Sequence, residues 1–329
     1  MTVAELPLPP LEMRELVGSF EAAGYENPTG APIWPDVPEE AWETYLDFGC
    51  GCGRSARRII QQTPRPRRYI GVDLHRGMIR WCQENLAPHA EGFEFVHHEV
   101  FNAGLNPDRA LPLAAPLPVE DGAVTLMEAS SVFTHLIESQ AEFYLDEVAR
   151  LLAPEGILIC TFFLFDKVSF PFMQDNQNAL YINDRDPTNA VVYDREWLLS
   201  GLRSRGLVIS KAEPPRVRGY HWRLYITPQR EGVEGIELPE DDAEPGRRPP
   251  PQLRSGAERI GLDDDATDGA MPEVVRQPLP PPDPLYAELL GAKEYIASLE
   301  AELEAARNAP PPAPPEPESR RGLRAWLGR

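Results

Sequence analysis

The stretch that most constrains the fold is YLDFGCGCGRS, Tyr45 to Ser55, in which three glycines alternate with two cysteines. A short apolar run precedes the glycines, and a run of helical character, RSARRII, follows them. Glycine adopts positive φ without a steric cost and lets a ligand approach the backbone closely. A strand, a glycine loop and a helix in this order predict a nucleotide-binding turn, because backbone amides and the helix N-terminus then face the ligand.

The cysteines allow an alternative, a metal site built on thiolates. A structural zinc site needs four ligands, commonly from paired C-x-x-C spacings. Cys50 and Cys52 form a C-x-C pair, whereas Cys82 falls in a predicted helix and Cys160 in a predicted buried strand. We therefore expect no metal and interpret the cysteines as small residues that fill a tight turn. Four cysteines without a disulfide-type spacing also fit a reducing, cytoplasmic compartment.

From residue 44 to residue 230, short apolar runs alternate with segments of helical periodicity. The predicted strands are TYLDF, RYIGV, FEFV, AVTLME, GILICTFFLF, LVIS and RLYIT, and the predicted helices are RSARRIIQQ, RGMIRWCQENL, SQAEFYLDEVARLL and REWLLSGLRSRG. This alternation predicts an α/β fold, a Rossmann-like doubly wound sheet covered by helices on both faces. Ligands of such sheets bind at the carboxyl ends of the strands.

The segments outside this domain differ in composition. Residues 1–43 are predicted to form an N-terminal helix and a cap segment, and residues 231–283 a disordered acidic, proline-rich linker. Residues 284–308 are predicted to form a short coiled-coil helix, through which the chain binds a second copy or a partner. Its seam alternates by four and three, at Leu285, Leu289, Ala292, Ile296, Leu299, Leu303 and Ala306. Residues 309–329 form a proline-rich, basic tail whose end, RRGLRAWLGR, can touch an anionic membrane surface.

The net charge of −20 argues against a general nucleic-acid-binding protein, which needs a basic face for phosphates. No apolar run approaches the 18 residues of a membrane-spanning helix, and the N-terminus lacks the pattern of a secretory signal. The sequence therefore predicts a soluble, cytoplasmic protein.

Two acidic residues at predicted strand ends bear on which nucleotide is bound. Asp73 ends the second strand, where a carboxylate accepts hydrogen bonds from ribose hydroxyls. Gly51, Gly53 and Ala56 satisfy G-x-G-x-x-A, so an NAD-dependent oxidoreductase stays open on spacing alone. Asp47, however, lies at the tip of the first strand, where its charge repels a pyrophosphate and favours an ammonium or sulfonium group. S-adenosylmethionine carries both of these cations and no phosphate.

With these motifs the chain resembles the class I S-adenosylmethionine-dependent methyltransferases over most of residues 10–227. LDFGCGCGR and GVDLH match the family's first two motifs, FEFVHHEVFN and LPVEDGAVTLMEASSVFTHL resemble the segments around its third and fourth strands, and EVARLLAPEGILICTFF resembles the helix and fifth strand that follow. The resemblance implies a sheet of seven strands, the last antiparallel. The cofactor-binding residues that we expect are Asp47, Gly49, Cys50, Gly51, Gly53, Asp73, Leu74, Glu99, Val100, Glu128 and Ala129.

The expected reaction is transfer of a methyl group by in-line displacement to a small-molecule, sugar or glycan acceptor. The sugar or glycan expectation comes from the architecture, since a helix such as YIASLEAELEAAR and a proline-rich tail resemble those of bacterial surface-polysaccharide enzymes. A hydroxyl or amine acceptor needs a base, for which His135 and then His221 are candidates. A non-catalytic S-adenosylmethionine-binding scaffold is the remaining alternative.

Overall fold

The structure is a computed structural model that describes residues 6–19, 21–108, 110–167, 173–183, 186–215 and 221–238. The predicted coiled-coil helix, the tail and the linker beyond residue 238 lie outside the described residues. Within the described part of the chain, no helix is long and apolar enough to cross a membrane. The division into domains stays a prediction.

The described residues form one sheet of nine strands. The strands are β1 (Thr44–Phe48), β2 (Arg68–Asp73), β3 (Phe93–His97), β4 (Val124–Ala129), β5 (Leu152–Phe165), β6 (Ala179–Tyr181), β7 (Val191–Asp194), β8 (Leu207–Glu213) and β9 (His221–Pro228). Their order is β3-β2-β1-β4-β5-β7-β6, and β9 pairs with both β5 and β8. The five strands from β3 to β5 in this order are parallel, whereas β9 runs antiparallel to β5.

Five α-helices are described: α1 (Leu11–Leu16), α2 (Arg54–Ile60), α3 (Arg76–Asn85), α4 (Glu138–Leu151) and α5 (Arg195–Ser204). One core packs apolar residues of α4 and α5 against one face of the sheet. A second core packs α2, α3 and part of the N-terminal segment against the other face. Tyr45 belongs to the second core and Leu46 to the first, because successive side chains of a strand point to opposite faces.

The α/β prediction is confirmed, including the mostly parallel sheet and the antiparallel strand. The predicted number of strands is wrong, because β6 and β7 add to the seven. These two strands have three and four residues and pair with each other in antiparallel orientation. In the sequence they lie between β5 and α5. Such short runs have too few residues to show a periodicity.

The added pair is joined to the sheet through the end of β5. Phe163, Leu164 and Phe165 pair with β7, and β9 pairs with the preceding part of β5. Phe163 is common to both, since its partners are Val192 on β7 and His221 on β9. The insertion therefore stands at the carboxyl edge of the sheet, where ligands of this fold class bind.

The N-terminal segment is tied to α2 by a buried arginine. Arg57 donates to the carbonyl oxygens of Leu6, Pro7 and Tyr25 and forms an ion pair with Glu26 at 2.7 Å. These bonds satisfy a guanidinium that would otherwise be costly to bury. They also hold the segment beside the glycine loop.

Candidate functional site

One large pocket lies at the carboxyl edge of the sheet, with a volume of about 1500 Å³. Ten of the thirteen sequence-predicted site residues line it: Asp47, Gly49, Cys50, Gly51, Asp73, Leu74, Val100, Glu128, His135 and His221. Gly53, Ala129 and Glu99 are not among the lining residues. Gly53 is the N-cap residue that precedes α2 and has left-handed backbone angles, and Ala129 is fully buried in the core. Glu99 is exposed and forms an ion pair with Arg76 at 2.6 Å.

The glycine loop joins β1 to α2 in a conformation that requires glycine. Gly49 has a φ of 81° and Gly51 a φ of 53°. A Cβ on Gly51 would lie 2.8 Å from Cγ1 of Val17, so the loop also needs the missing side chain to accommodate the N-terminal segment. The amides of Gly49 and Cys50 donate to the carbonyl oxygen of Val72 on β2, which fixes the loop over the strand ends.

Asp73 is held by the backbone at both carboxylate oxygens. The amide of Gly51 donates to Oδ2 at 2.8 Å, and the amide of His75 donates to Oδ1 at 2.7 Å. Burial raises the pKa of Asp73, and these two hydrogen bonds oppose that shift. Each oxygen keeps a lone pair, so a fixed carboxylate at the end of β2 can still accept hydrogen bonds from a ligand diol.

Asp47 and Glu128 form a buried pair of carboxyl groups at the ends of neighbouring strands. They are directly opposite each other in the β1–β4 register, and each is 3% exposed. The Tyr69 hydroxyl donates to Asp47, and the Tyr45 hydroxyl donates to Glu128, both at 2.5 Å. Burial, and then the neighbouring Glu128, raise the pKa of Asp47 well above its usual range. A cation placed beside this pair would offset both the loss of hydration and the repulsion between the two carboxylates.

Further donors complete the surroundings of Glu128. The hydroxyls of Ser55 and Ser130 donate to Oε1 at 3.1 and 2.8 Å. The indole of Trp34 donates to the Tyr45 hydroxyl at 3.0 Å, which extends the network outward. The carboxylate is therefore fixed in position before any ligand arrives.

Sequence reasoning did not find the two tyrosines that hold this pair. Tyr45 lies two residues before Asp47 on the same strand, so a spacing of two places both side chains on one face. Tyr69 lies opposite Tyr45 in the β1–β2 register, and the two rings stack at 5.6 Å. The period of two could have found Tyr45, but the role of Tyr69 depends on the register of two strands.

His98 is another lining residue that was not predicted. Its Nε2 is 2.8 Å from the Tyr144 hydroxyl, and its ring is edge-on to Phe48. Burial lowers the pKa of His98 to about 4. The imidazole is thus neutral at physiological pH and contributes shape and a hydrogen bond rather than charge.

The two predicted bases stand on different elements of the opposite side of the pocket. His135 follows β4, and its Nδ1 is 3.0 Å from the carbonyl oxygen of Thr188. His221 begins β9, and its Nε2 is 3.4 Å from the hydroxyl of Ser131. Ser131 has a φ of 57°, which is unusual for a residue other than glycine and turns the chain sharply after β4.

On the same side of the pocket, two basic residues are paired with carboxylates. Lys211 contacts Asp36 and Glu213, each at 2.8 Å, and Arg223 contacts Glu213 at 2.8 Å. The insertion contributes Asp186, Thr188 and Asn189 to the same lining. These residues were not predicted, because nothing in their sequence marks the loop as part of a site.

The cysteines are buried and free. Cys52 Sγ is 3.2 Å from the Tyr25 hydroxyl, and burial raises the pKa of Cys50, Cys52, Cys82 and Cys160. Raised thiol pKa values disfavour the thiolate that binds metals. Among the described residues, no group of three or more His, Cys, Asp or Glu side chains is placed to hold a metal ion.

Comparisons with known proteins place this geometry in context. Residues 46–156, about a third of the chain, match the family described as "Methyltransferase domain". A similar curated protein is phthiotriol/phenolphthiotriol dimycocerosates methyltransferase 1 of Mycobacterium ulcerans (strain Agy99), 31% identical over 119 residues. That match covers 35% of this chain and 36% of the relative, so the chain spans about a third of the relative's length.

Two solved structures are also similar. A SAM-dependent methyltransferase from Aquifex aeolicus matches with a TM-score of 0.41 and 16% identity, over 67% of this chain and 98% of that one. A putative S-adenosylmethionine-dependent methyltransferase from Listeria monocytogenes matches with a TM-score of 0.41 and 15% identity, over 64% and 100% of the two chains. The family match includes the glycine loop, Asp73 and Glu128. Residues 46–156 are therefore similar to a methyltransferase domain.

Proposed function

We propose that this protein transfers the methyl group of S-adenosylmethionine to a hydroxyl or amine of a small-molecule acceptor. The observation that carries the proposal is the set of three carboxyl groups, Asp47, Asp73 and Glu128, that line one pocket beside the glycine loop. This set suits a ligand with a ribose and two cations, and it disfavours the pyrophosphate of NAD.

The cofactor side of the pocket matches the parts of S-adenosylmethionine. Asp73 would accept hydrogen bonds from the ribose hydroxyls, and the Asp47–Glu128 pair would face the cationic methionine portion. The amide of Gly51 holds Asp73 in place at 2.8 Å, and Val17 packs where a side chain on Gly51 would lie. Leu74 and Val100 supply apolar surface to the same lining.

When bound, S-adenosylmethionine supplies an electrophilic methyl group that an acceptor takes by in-line displacement. The protein's part is to align the acceptor, exclude water and accept a proton. We assign the role of proton acceptor to His135. Its Nδ1 is hydrogen-bonded to a carbonyl oxygen, so its Nε2 is free to accept the proton. His221, which contacts Ser131, is the second candidate.

The acceptor that we favour is a neutral, polyhydroxylated molecule such as a sugar or glycan unit. We call the side of the pocket that carries His135, His221 and the insertion the acceptor side. The supporting observation is its balance of charge, since Lys211 and Arg223 are paired with Asp36 and Glu213. Paired cations do not need an anionic partner, whereas the carboxylate, amide and hydroxyl groups of Asp186, Asn189 and Thr188 offer hydrogen bonds to hydroxyls.

An acceptor with an aliphatic portion is a second candidate. Leu16 and Leu105 line the pocket and are 58% and 41% exposed, so they offer apolar surface to an acceptor. The similar Mycobacterium ulcerans protein is by name a methyltransferase of dimycocerosates. If this candidate is right, octyl glucoside should raise the thermal unfolding temperature of the wild type, and Leu16→Ser should reduce that increase. The exposed Ile236, which is outside the pocket lining, provides the control Ile236→Ser.

Calorimetric titration with S-adenosylmethionine, S-adenosylhomocysteine and NAD tests the proposal. We expect micromolar binding of the first two and none of NAD. Asp47→Ala and Asp73→Ala should lose this binding, and the exposed Asp121→Ala should keep it. Binding of NAD alone would replace methyl transfer with an oxidoreductase function. Binding of S-adenosylmethionine without transfer to any component of an extract would favour the scaffold.

A further inference from the structure

The insertion between β5 and α5 reaches the candidate base. Its turn Pro187–Asn189 follows Asp186, and Asp186, Thr188 and Asn189 all line the pocket. His135 approaches this turn from the loop after β4, and the two meet at the 3.0 Å contact between His135 Nδ1 and the Thr188 carbonyl oxygen. An element added to the seven-stranded core thus contacts the residue to which we assign proton transfer.

The chemistry of this contact determines which ring nitrogen carries the proton. A carbonyl oxygen accepts hydrogen bonds and cannot donate, so Nδ1 of His135 must be the donor. In the neutral ring, Nε2 then has a lone pair and no proton. A free neutral imidazole in water prefers the opposite tautomer, with the proton on Nε2. The Thr188 carbonyl therefore selects the form in which Nε2 can accept a proton.

Asp186 fixes the orientation of that carbonyl. Its Oδ1 accepts from the Thr188 amide at 3.2 Å and from the Thr188 hydroxyl at 2.6 Å. Side chains of this kind stabilise tight turns by bonding to the backbone two residues on. Asn102, on the loop after β3, donates to the same hydroxyl at 3.4 Å. Thr188 is thereby held from two sides.

We propose that Asp186 is a positioning residue for the reaction, which acts on His135 through Thr188. By holding the turn, it keeps the Thr188 carbonyl against Nδ1 and so keeps Nε2 as the proton acceptor. The inference rests on the proposed function, because His135 has a chemical role only if the protein transfers methyl groups to a protic acceptor. The orientation and the tautomer can nevertheless be measured without any acceptor.

The experiment is nitrogen NMR on the full chain labelled with ¹⁵N-histidine, at about pH 8.5, where an ordinary imidazole is neutral. The chain has six histidines, and the signals lost in His135→Gln identify those of His135. We expect the Nδ1–H tautomer in the wild type. In Asp186→Ala, the chemical shifts of the two ring nitrogens should change places, because the proton then resides mainly on Nε2. Asp186→Asn keeps an oxygen acceptor and should restore the wild-type shifts.

Asp108→Ala is the matched control. Asp108 likewise accepts from a backbone amide two residues on, that of Ala110 at 3.0 Å, and is not among the pocket-lining residues. Its removal should leave the His135 shifts unchanged. If Asp186→Ala does not fold, as judged by the other five histidines, Thr188→Val removes the hydroxyl that Asp186 holds while leaving the carbonyl. That variant should move the tautomer ratio in the same direction.

The inference is overturned if His135 of the wild type carries its proton on Nε2, or if neither Asp186→Ala nor Thr188→Val changes the ratio. Titration of the same samples with S-adenosylmethionine separates this result from failure of the proposed function. Asp186→Ala should bind the methyl donor as the wild type does, because Asp186 is not part of the cofactor side. Loss of S-adenosylmethionine binding in every sample would count against the proposed function. The tautomer of His135 could still be determined, because its measurement needs no ligand.

Discussion

The two sides of the pocket are built in different ways. The cofactor side consists of strand ends of the parallel sheet, with Asp47, Asp73 and Glu128 held by tyrosine hydroxyls and backbone amides. The acceptor side is assembled from segments distant in sequence, including the turn after β4, the insertion and the start of β9. Strand pairing holds the first side in place, whereas the second depends on contacts between loops. Substitutions should therefore separate donor binding from methyl transfer.

The largest expected effect is on the acceptor side. His135→Gln keeps a donor for the Thr188 carbonyl but removes the base, so methyl transfer should fall by roughly 10²- to 10⁴-fold. Binding of S-adenosylmethionine should not change, because the cofactor side is untouched. Transfer of a tritiated methyl group to components of a cell extract measures the rate, and calorimetry measures the binding. Equal loss of both would contradict the separation of the two sides.

The next effect concerns His98, which lines the pocket. Its pKa of about 4 is below the ordinary value near 6.5 of an unfolded histidine, so the unfolded chain binds the proton first. The stability that neutral His98 contributes is present above pH 6.5 and is lost as the pH falls toward 4. The loss should be on the order of 2–3 kcal/mol. Urea unfolding at several pH values measures it.

His98→Gln provides the comparison for this prediction. Glutamine can hydrogen-bond to Tyr144 but does not titrate, so the variant should lose less stability between pH 6.5 and pH 4. Carboxyl groups that titrate in the same range affect the stability of both proteins equally, so their effect cancels when the two pH dependences are subtracted. Identical pH dependence in the two proteins would show that His98 is protonated at the same pH in the folded and unfolded states.

A smaller effect is expected at the glycine loop. Gly51→Ala combines an unfavourable φ of 53° with a contact to Val17 at 2.8 Å, and should cost roughly 1–3 kcal/mol of stability and weaken donor binding. Gly122→Ala is a matched control, since Gly122 has a φ of 64° and no atom within 4 Å of an added Cβ. Thermal unfolding should show the larger loss for Gly51→Ala.

Val17→Ala tests the cause of that larger loss. In the double variant, the added methyl group on Gly51 no longer meets a valine side chain, so part of the stability should return. If the double variant is as unstable as the sum of the two single variants, contact with the N-terminal segment is not the reason. The result would then point to the backbone conformation alone.

The smallest expected effect is a gain in stability. Asp47→Asn removes a carboxyl group whose pKa is raised by burial and by Glu128, while the amide oxygen can still accept from Tyr69. The fold should become more stable by roughly 0.5–2 kcal/mol, and S-adenosylmethionine binding should weaken. Thermal unfolding and calorimetry on the same sample would show the opposite changes. A loss of stability would mean that the Asp47 charge supports the fold.

The two sides also differ in how far the sequence predicts them. The glycine loop, Asp47 and Asp73 belong to one continuous strand–loop–helix–strand pattern, so local spacing was enough to group them. Tyr69 holds Asp47 only because β1 and β2 pair in one register, which no local pattern reveals. The insertion was missed because β6 and β7 are three and four residues long. Glu99 was predicted by motif position, but its charge is paired with Arg76 outside the pocket.

The double pairing of β5 has a consequence for how such a protein can change over evolutionary time. The insertion joins the sheet through three residue pairs at the end of β5, while β9 pairs with residues 158–163 of the same strand. The segment between β5 and α5 can therefore be lengthened, shortened or exchanged without altering the strands that carry Asp47, Asp73 and Glu128. Under the proposed function, a chain built in this way can acquire a new acceptor while it inherits its methyl donor unchanged.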